Sequence, residues 1–533
     1  MTDAREHLCA NFIRRAHDAP EAVFAVLVKG GDEQTLSNAW VVQRALAIRA
    51  ALAHRNLRPG DLVAIVLEHS ADLYPSFIGC MLGGFVPAFL PPLTVKQDPD
   101  IFRSSMAALF ARTLPGAVLT SVRSLVHVPQ GQYALLCLDD LAQTADGDPI
   151  PAVDDLPQVD TAFLQHSSGT TGLKKGVMLS YRTVLEQVHT YAASLDIAAG
   201  DIVASWLPLY HDMGLITSFM LPLVIGCPII SLDALEWVVR PTMLLDAVAR
   251  HKAAFSWLPN FAFHHMLRAV RPSSHWDLGS IKALVNCSEP CRADTFDQFA
   301  ARFAAMGLDP ARLRVCYAMA ETVFAVTQTA PGAIARAGSQ ATTAGFLSCG
   351  TALPGVEVEI RDPDGAQLAS GLLGEICIRS TMLFDGYLKQ PDVTAEKLRD
   401  GWFHTSDLGC VEDGELFVLG RVDDLLIING KNLFAHEIES IVTALPGIAP
   451  GRVLASADFD PRMGAARLLI LAERDDQPLD AKALEAEIRQ AVLASTGIFP
   501  GGVQFLPRGF LVKSSSGKIA RAQSLRKYRD HAG

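Results

Sequence analysis

The 533-residue sequence has no uninterrupted apolar run long enough to cross a membrane. Its two longest apolar stretches, residues 77–93 and 217–232, contain Gly and Pro and are shorter than the roughly 20 residues that a membrane helix needs. We therefore expect both stretches to be buried core and expect no membrane span. The N-terminus, MTDAREH, lacks the basic and apolar regions of a secretory signal, which favours a cytoplasmic location.

Charged residues are also scarce, at 19% of the chain, and the 46 Lys and Arg are outnumbered by 57 Asp and Glu. The resulting net charge of -11 argues against a general nucleic-acid binder. Half of the residues are hydrophobic, which excludes a disordered or fibrous chain. At the usual domain size of about 100 to 200 residues, the length predicts a large subdivided body with an appended domain.

Cysteine patterns of secreted or zinc-binding domains are missing. The ten Cys include no CxxC pair, and the nearest pair, Cys287 and Cys291, has a spacing that suits no common structural metal site. We therefore expect reduced thiols rather than a disulfide framework. The chain also has no internal repeat and no Walker A motif.

Short β-branched runs alternate with longer Ala- and Leu-rich stretches over most of the chain, as at residues 61–67 and 253–257. This alternation predicts an α/β fold with largely parallel sheets in a large N-terminal domain, residues 1–420. Within it, strands at 356–360 and 374–379 flank the turn sequence DPDG and predict an antiparallel, β-barrel-like section. Residues 421–533 predict a small, mobile α+β domain.

The most informative segment is LQHSSGTTGLKKGVM at residues 164–178. Small and hydroxylated residues allow backbone N–H groups to close around phosphate oxygens, and lysines add positive charge. On its own the segment fits a surface turn rich in Ser, Gly and Lys as well as a phosphate-binding loop. In a phosphate-binding loop, the residues that contact the nucleotide are Ser168, Gly169, Thr170, Thr171, Gly172 and Lys175.

Residues 168–177 resemble the phosphate loop of the adenylate-forming superfamily, which includes acyl-CoA synthetases, luciferases, nonribosomal peptide adenylation domains and fatty acyl-AMP ligases. Four further motifs of that superfamily follow in order: YAMAET at 317–322, GWFHTSDLG at 401–409, GRVDDLLI at 420–427 and SGKIAR at 516–521. The resemblance covers nearly the whole chain. It departs from the family pattern at Lys174, where proline is usual, and at Ala318, where glycine is usual.

The resemblance implies an ATP-dependent ligase that joins a carboxylate to ATP, releases pyrophosphate and passes the acyl group to a nucleophile. Two anions must then be brought together, which requires cations and oriented donors. Lys518 matches the catalytic lysine that bridges the carboxylate and the nucleotide. Glu321 matches the ligand of Mg²⁺, and a carboxylate oxygen is a suitable hard ligand for that ion.

The same resemblance assigns the rest of the nucleotide site. Tyr317 and Ala320 would lie along the nucleotide, and Asp407 and Arg421 would hold the ribose hydroxyls. The loop against adenine would comprise Asn286, Ser288, Glu289 and Pro290. Asp423 matches the hinge about which the small domain rotates after adenylation, and Gly430 the glycine beside which a pantetheine arm passes.

Several stretches look closest to the fatty acyl-AMP ligase branch: residues 205–215, 258–262, 286–290 and 348–350. In this interpretation His211 belongs to the catalytic set at the acyl pocket, and Asn260, Phe261 and Asn286 line the acid or acceptor pocket. The acid is expected to be apolar. Phe255, Trp257, Phe263 and Met266 could line the pocket or belong to the general core, and His264 and His265 could be pocket or surface residues.

The acceptor stays open between a phosphopantetheine thiol, on CoA or an acyl carrier protein, and an amine such as an amino acid. Fatty acyl-AMP ligases typically carry an extra segment that restrains domain rotation, and no obvious insertion occurs between Glu321 and Ser348. Two other hypotheses are an enzyme that only adenylates and hands its product to a separate partner, and a non-catalytic acyl- or nucleotide-binding protein. The joint presence of Lys518, Glu321, Asp407 and Arg421 argues against the latter.

Overall fold

The computed structural model of the protein describes residues 7–94, 98–141, 149–166, 175–289, 291–332, 334, 346–428, 431–460, 465–475, 480–513 and 519–532. Helices and strands alternate through most of the described residues, and two of the sheets have mainly parallel pairings. The predicted α/β fold class is therefore confirmed. Among the described helices, none combines the length and the apolar character needed to span a lipid bilayer.

The largest sheet has nine strands among the described residues, six of which run parallel to one another. Antiparallel strands close both of its edges. In spatial order the strands are Thr351–Ala352, Ala325–Gln328, Leu313–Ala318, Ala283–Asn286, Phe255–Leu258, Val203–Ser205, Ile229–Leu232, Val23–Lys29 and Asp32–Ser37. The carboxyl ends of the parallel strands therefore lie along one edge, which is where ligands bind in open α/β sheets.

Two smaller sheets also belong to the body of the protein. The parallel one contains Val86–Leu90, Leu62–Val66, Ala117–Thr120 and Ala134–Cys137. The antiparallel one contains Gly386–Tyr387, Gly176–Leu179 and Phe163–His166, so the predicted phosphate loop connects two of its strands. The two longest apolar stretches of the sequence, residues 77–93 and 217–232, are largely buried, as expected.

The antiparallel section is also present, with Val356–Arg361, Gly374–Ser380, Trp402–Glu412, Leu398–Arg399 and Glu415–Arg421. Its DPDG turn closes with a hydrogen bond from Gly365 N–H to the Asp362 carbonyl oxygen, 3.0 Å, and Gly365 has φ +87°. A left-handed φ of this kind is what glycine allows at low cost.

The last part of the chain has its own apolar core, which draws on residues between Leu426 and Phe505. Its strands are Leu425–Ile428, Lys431–Phe434, Ile448–Asp460, Ala465–Arg474 and Gly502–Leu506. Its helices are Ala435–Thr443, Ala481–Thr496 and Arg521–Ala532. This combination of strands and helices agrees with the predicted α+β character of the segment.

Side-chain caps fix the starts of several helices in the body. Ser37 and Ser180 each accept a hydrogen bond from the first turn of the helix that follows, and Asp98 caps a helix that starts with Pro99. The body helices are Ala10–Asp18, Asn38–Ala53, Leu73–Leu82, Pro99–Thr113, Val122–Leu125, Tyr181–Leu195, Asp212–Leu215, Leu221–Ile225, Ala234–Val239, Met243–His251, Asn260–Ala269, Ala293–Phe303 and Pro391–Lys397.

Phe434 provides an apolar contact between the C-terminal core and the body. Its ring packs with Phe346, Leu408 and Leu419. A Cβ atom on Gly420 would lie 2.5 Å from Cδ1 of Phe434, so only glycine allows this approach. The contact lies directly beside the segment in which the hinge is predicted.

His436 is buried at the same contact, with its ring 5.5 Å from that of Phe434 and 6.3 Å from that of Phe346. Burial lowers the pKa of His436 to about 4; nearby Asp424 opposes this shift, whereas Arg521 and Arg292 add to it. The folded state therefore favours the neutral ring.

We expect His436→Gln to reduce the acid sensitivity of the fold. A depressed histidine pKa gives stability that is complete above the ordinary value of 6.5 and is lost as the pH falls towards 4. The loss in the wild type should reach about 3 kcal/mol at most. Urea denaturation of both proteins at several pH values across this range measures it, and equal pH dependence of the two would contradict the assignment.

Candidate active site

The predicted adenine loop and the predicted acid-pocket residues lie together at the carboxyl edge of the large sheet. Asn286 ends the strand Ala283–Asn286 and is fully buried, and its Nδ2 donates to Oδ1 of Asn260 over 2.8 Å. Glu289 accepts a hydrogen bond from the backbone N–H of Phe261, 3.0 Å. Between them, Ser288 has φ +72°, so the loop turns sharply at this edge.

Asp407 and Arg421 face each other across an antiparallel strand pair, with Arg421 Nε 3.2 Å from Asp407 Oδ1. The other carboxylate oxygen of Asp407 accepts a hydrogen bond from the hydroxyl of Tyr317, 2.5 Å. Burial, and then the charge of Asp407, raise the pKa of Tyr317. The phenol therefore stays protonated and donates, and three residues predicted to contact the nucleotide are joined by one hydrogen bond and one ion pair.

Glu321 is a second polar centre, in a short 3₁₀ turn that also contains buried Ala320. One of its carboxylate oxygens, Oε1, accepts a hydrogen bond from the hydroxyl of Tyr387, 2.7 Å. Burial is the main cause of a raised pKa of Glu321; the hydrogen bond from Tyr387 and the charge of Lys175 oppose the rise, whereas Asp212 adds to it.

The donor set at Glu321 fits Mg²⁺. Among the residues that the structure describes, a side chain engages Oε1 of the carboxylate, which leaves Oε2 as a ligand, and Asp212 adds a second carboxylate nearby. Hard oxygen ligands with room for water and phosphate oxygens are what Mg²⁺ prefers. The repulsion between these carboxylates is a further reason why a cation would be favoured here.

Lys175, which directly precedes the strand Gly176–Leu179, lies close to this centre. Its Nζ is 4.7 Å from the ring centroid of Tyr387. Burial lowers the pKa of Lys175, Glu321 raises it, and the like charge of Lys397 lowers it further. A partly buried ammonium at the end of a phosphate-binding segment is suited to a polyphosphate.

His211 precedes the short helix Asp212–Leu215 and packs against Tyr210, with ring centroids 4.8 Å apart. Both residues line a narrow cleft that also contains His166, the end of the strand leading into the phosphate segment. The structure therefore places His211 between the phosphate segment and the carboxyl edge of the large sheet.

The aromatic residues near Asn260 divide into core and surface. Phe255, Trp257, Phe263 and Met266 are fully buried, and only Phe261, 44% exposed, is open to the surroundings. His264 bonds to Thr295 Oγ1 and His265 to the Val238 carbonyl oxygen, so both have protein partners. Of the aromatic candidates for the acid pocket, Phe261 is the one that stays accessible.

Several predicted residues lie outside the described residues: Ser168, Gly169, Thr170, Thr171, Gly172, Lys174, Pro290, Gly430 and Lys518. Asp423 is described; it is exposed in the 3₁₀ turn Val422–Asp424, between the strand that ends at Arg421 and the strand Leu425–Ile428.

Sequence reasoning missed two residues at the site. Tyr387 is 66 residues from its partner Glu321, and Lys397 is separated by nine residues from Ser406, whose hydroxyl it contacts. Neither lies in one of the five motifs. A Gly-Tyr pair in a short strand was the only local signal for Tyr387.

Comparison with known proteins places this arrangement in a family. The model of the AMP-binding enzyme family matches residues 12–388. The long-chain-fatty-acid–AMP ligase FadD26 of Mycobacterium marinum is 29% identical, over 94% of this chain and 92% of the relative. A putative fatty-acid–CoA ligase, fadD25 of Mycobacterium tuberculosis, is 31% identical, over 94% and 92%.

Solved structures show the same architecture. One from structural and functional studies of fatty acyl-adenylate ligases from E. coli and L. pneumophila is 26% identical, with a TM-score of 0.87 and coverage of 99% of both chains. The McyG A-PCP structure, complexed with phenylalanyl-adenylate, has a TM-score of 0.87 at 22% identity and covers 99% of this chain and 84% of that one.

Fold and comparisons together define an AMP-forming ligase, which makes an acyl-adenylate from a carboxylic acid and ATP and then transfers the acyl group. The chain belongs to the AMP-binding enzyme family. The resemblance read from the five motifs is thereby confirmed, as is the nearness to fatty acyl-AMP ligases.

Proposed function

We propose that the protein activates an apolar, long-chain carboxylic acid with ATP and Mg²⁺ and passes the acyl group to a phosphopantetheine thiol, carried by an acyl carrier protein or by CoA. The observation that carries the proposal is the pairing of two polar centres at the carboxyl edge of the sheet. Asp407 with Tyr317 and Arg421 suits a ribose, and Glu321 with Lys175 suits a metal-bound polyphosphate.

The nature of the acid and of the acceptor is supported by the relatives. FadD26 is named a long-chain-fatty-acid–AMP ligase, and fadD25 is named a putative fatty-acid–CoA ligase. A peptidyl carrier protein accompanies the adenylation domain in the McyG structure. Exposed Phe261 beside Asn260 provides an apolar surface next to the proposed adenine loop.

The chemistry divides into two balanced steps. A carboxylate oxygen of the acid bonds to the α-phosphorus of ATP while the bond to the pyrophosphate oxygen breaks. The thiol sulfur then bonds to the acyl carbon, its proton is released, and AMP leaves with the electron pair of the broken bond. Repulsion between the two anions dominates the first step, so the residues that matter most are those that supply positive charge.

The proposed roles of Asp407 and Lys175 follow from the positions of their side chains, and that of Lys518 follows from its motif. Asp407 accepts from the ribose hydroxyls, with its carboxylate oriented by Tyr317 and Arg421. Lys175 and Lys518 bring positive charge to the phosphates and the carboxylate. Mg²⁺ held by Glu321 would neutralise phosphate charge when bound.

The decisive experiment is mass spectrometry of the products formed from ATP, a panel of aliphatic and aryl acids, and three acceptors in competition. The acceptors are CoA, a phosphopantetheinylated carrier protein and mixed amino acids. We expect AMP, pyrophosphate and a thioester of a long-chain acid. Amides as the main product would overturn the thiol acceptor, and absence of acid-dependent pyrophosphate release would overturn the proposal as a whole.

Asp423→Pro is expected to separate the two steps. A fixed φ in the exposed turn Val422–Asp424 restricts rotation of the following segment, which the second step is proposed to need. Acid-dependent ATP-pyrophosphate exchange should stay within about threefold of wild type, while thioester formation should fall at least about tenfold. Asp423→Ala, which leaves φ free, is the matched control. Equal loss of both activities in the proline variant would contradict a two-state use of this turn.

A further inference from the structure

Asp407 sits in an irregular segment of the strand Trp402–Glu412. Where this strand pairs with Gly374–Ser380, Cys377 is opposite His404, but Glu375 is opposite Leu408. A single residue of one strand, Ile376, therefore faces three residues of the other. These three residues form a bulge at 405–407. Bulges of this kind re-aim a side chain, and here the side chain at the end of the bulge is the Asp407 carboxylate.

Ser406, in the middle of the bulge, has a left-handed backbone with φ +64°. A residue other than glycine pays of order 1 kcal/mol for this conformation, so neighbouring groups must hold it. The Ser406 N–H donates to Glu375 Oε1 over 2.9 Å. The Ser406 hydroxyl accepts from the ammonium of Lys397 over 2.5 Å. Both of these hydrogen bonds thus join Ser406 to charged side chains outside the bulge.

The rest of the bulge is held by neutral bonds. Thr405 Oγ1 accepts from the Asp407 N–H, 2.9 Å, and donates to the Ile376 carbonyl oxygen, 2.7 Å. These bonds fix the two ends of the bulge but do not reach its middle. Lys397 and Glu375 are therefore the side chains that hold Ser406.

Lys397 is itself on a short rigid element. It ends the helix Pro391–Lys397, which has Pro at its first position, and a cation is favoured at a helix C-terminus. Thr394 of the same helix accepts a hydrogen bond from the Tyr387 N–H, 2.9 Å. Since Tyr387 donates to Glu321, this helix touches the supports of both polar centres of the site.

We propose that Lys397 is a positioning residue: through Ser406 it fixes the bulge at 405–407 and so sets how the Asp407 carboxylate meets the ribose of ATP. This inference rests on the proposed role of Asp407 as the ribose acceptor. Lys397 touches no substrate in this mechanism. Its effect is on the recognition of the ribose hydroxyls and not on the rate of the bond-making step.

The test compares ATP with 2′-deoxy-ATP and 3′-deoxy-ATP in acid-dependent pyrophosphate exchange. Lys397→Met and Ser406→Ala should each raise the KM for ATP and lower discrimination against the deoxynucleotides about five- to tenfold, with kcat within about twofold of wild type. The effect reflects the loss of one charge-assisted hydrogen bond. The double variant should lose no more than the larger single effect, because both changes remove the same bond.

Ser406→Gly removes the same hydroxyl but tolerates the left-handed backbone. It should therefore lose discrimination as Ser406→Ala does, because the hydrogen bond to Lys397 is missing in both variants and backbone strain is relieved only in Ser406→Gly. Lys482→Met, a change at an exposed lysine on the helix Ala481–Thr496, controls for the loss of a surface charge. If Lys397→Met does not fold, Ser406→Ala carries the test, because it removes the same hydrogen bond from the other partner.

Asp407→Asn separates the failure of this inference from the failure of the function on which it rests. If Asp407→Asn keeps full discrimination, the ribose role of Asp407 is wrong. If Asp407→Asn loses discrimination but Lys397→Met and Ser406→Ala keep it, the positioning role of Lys397 is overturned. A change in pyrophosphate affinity with intact discrimination in Lys397→Met would also overturn it, because Lys397 would then act on the phosphates.

Discussion

Lys518→Ala is expected to lower carboxylate-dependent ATP-pyrophosphate exchange at least about a hundredfold, the scale set by removing one group that stabilises a transition state by its charge. In the adenylation step the negative carboxylate approaches the negative phosphate, and a lysine between them offsets the repulsion. Exchange of labelled pyrophosphate into ATP, with and without the acid, measures this step alone.

The matched control for Lys518 is Arg526→Ala. Arg526 is an exposed cation in the same basic C-terminal segment, on the helix Arg521–Ala532, so it tests whether Lys518 acts only as a solvated surface charge. We expect Arg526→Ala to exchange at the wild-type rate. Near-normal exchange in Lys518→Ala would remove the catalytic assignment. Transfer from a chemically prepared acyl-adenylate should survive in Lys518→Ala, since the first step is bypassed.

Glu321→Gln should be the next most damaging change, with a loss of about a hundredfold in adenylation rate at millimolar Mg²⁺. The amide has nearly the same shape and can still accept from Tyr387, so the fold should be kept, but a neutral oxygen is a much weaker magnesium ligand. Exchange rates measured over a range of Mg²⁺ concentrations should show half-saturation shifted upward at least about tenfold. An unchanged magnesium dependence would contradict the role of Glu321.

Tyr387→Phe is the companion variant, because it keeps the carboxylate and removes only its hydrogen bond. That bond lowers the pKa of Glu321, so its loss should raise the pKa further. Activity that needs the ionised carboxylate is lost as the pH falls through this pKa. The acidic limb of the pH-rate profile should therefore move to higher pH in Tyr387→Phe and disappear in Glu321→Gln.

Local sequence patterns were sufficient to predict several strands and turns. Runs such as residues 61–67 are strands because β-branched side chains pack well on a sheet, and the observed strand is Leu62–Val66. The DPDG sequence predicted a turn, and the chain turns there with a glycine at positive φ. These features depend on neighbours a few residues apart, which is why they can be read from the chain.

The candidate site was only partly predictable. The motif residues Tyr317 and Asp407 were singled out separately, yet their hydrogen bond joins positions 90 residues apart. Ser406 gave no sign of a left-handed backbone, because serine rarely adopts one, and the bulge follows only from how two strands pair. The aromatic residues of 255–266 could not be sorted into core and pocket from the sequence, since burial depends on what packs from elsewhere.

The sequence by itself determined the α/β class, the antiparallel section, the family and the kinds of side chain that the reaction needs. These rest on local patterns and ordered motifs, which survive in the linear chain. Only the tertiary structure decided that Tyr387 supports Glu321, that Asn286 bonds to Asn260 and that Lys397 holds the bulge beside Asp407. Such contacts form because separate strands end at one edge and pair with a defined register, and no local pattern encodes which distant side chains will meet there.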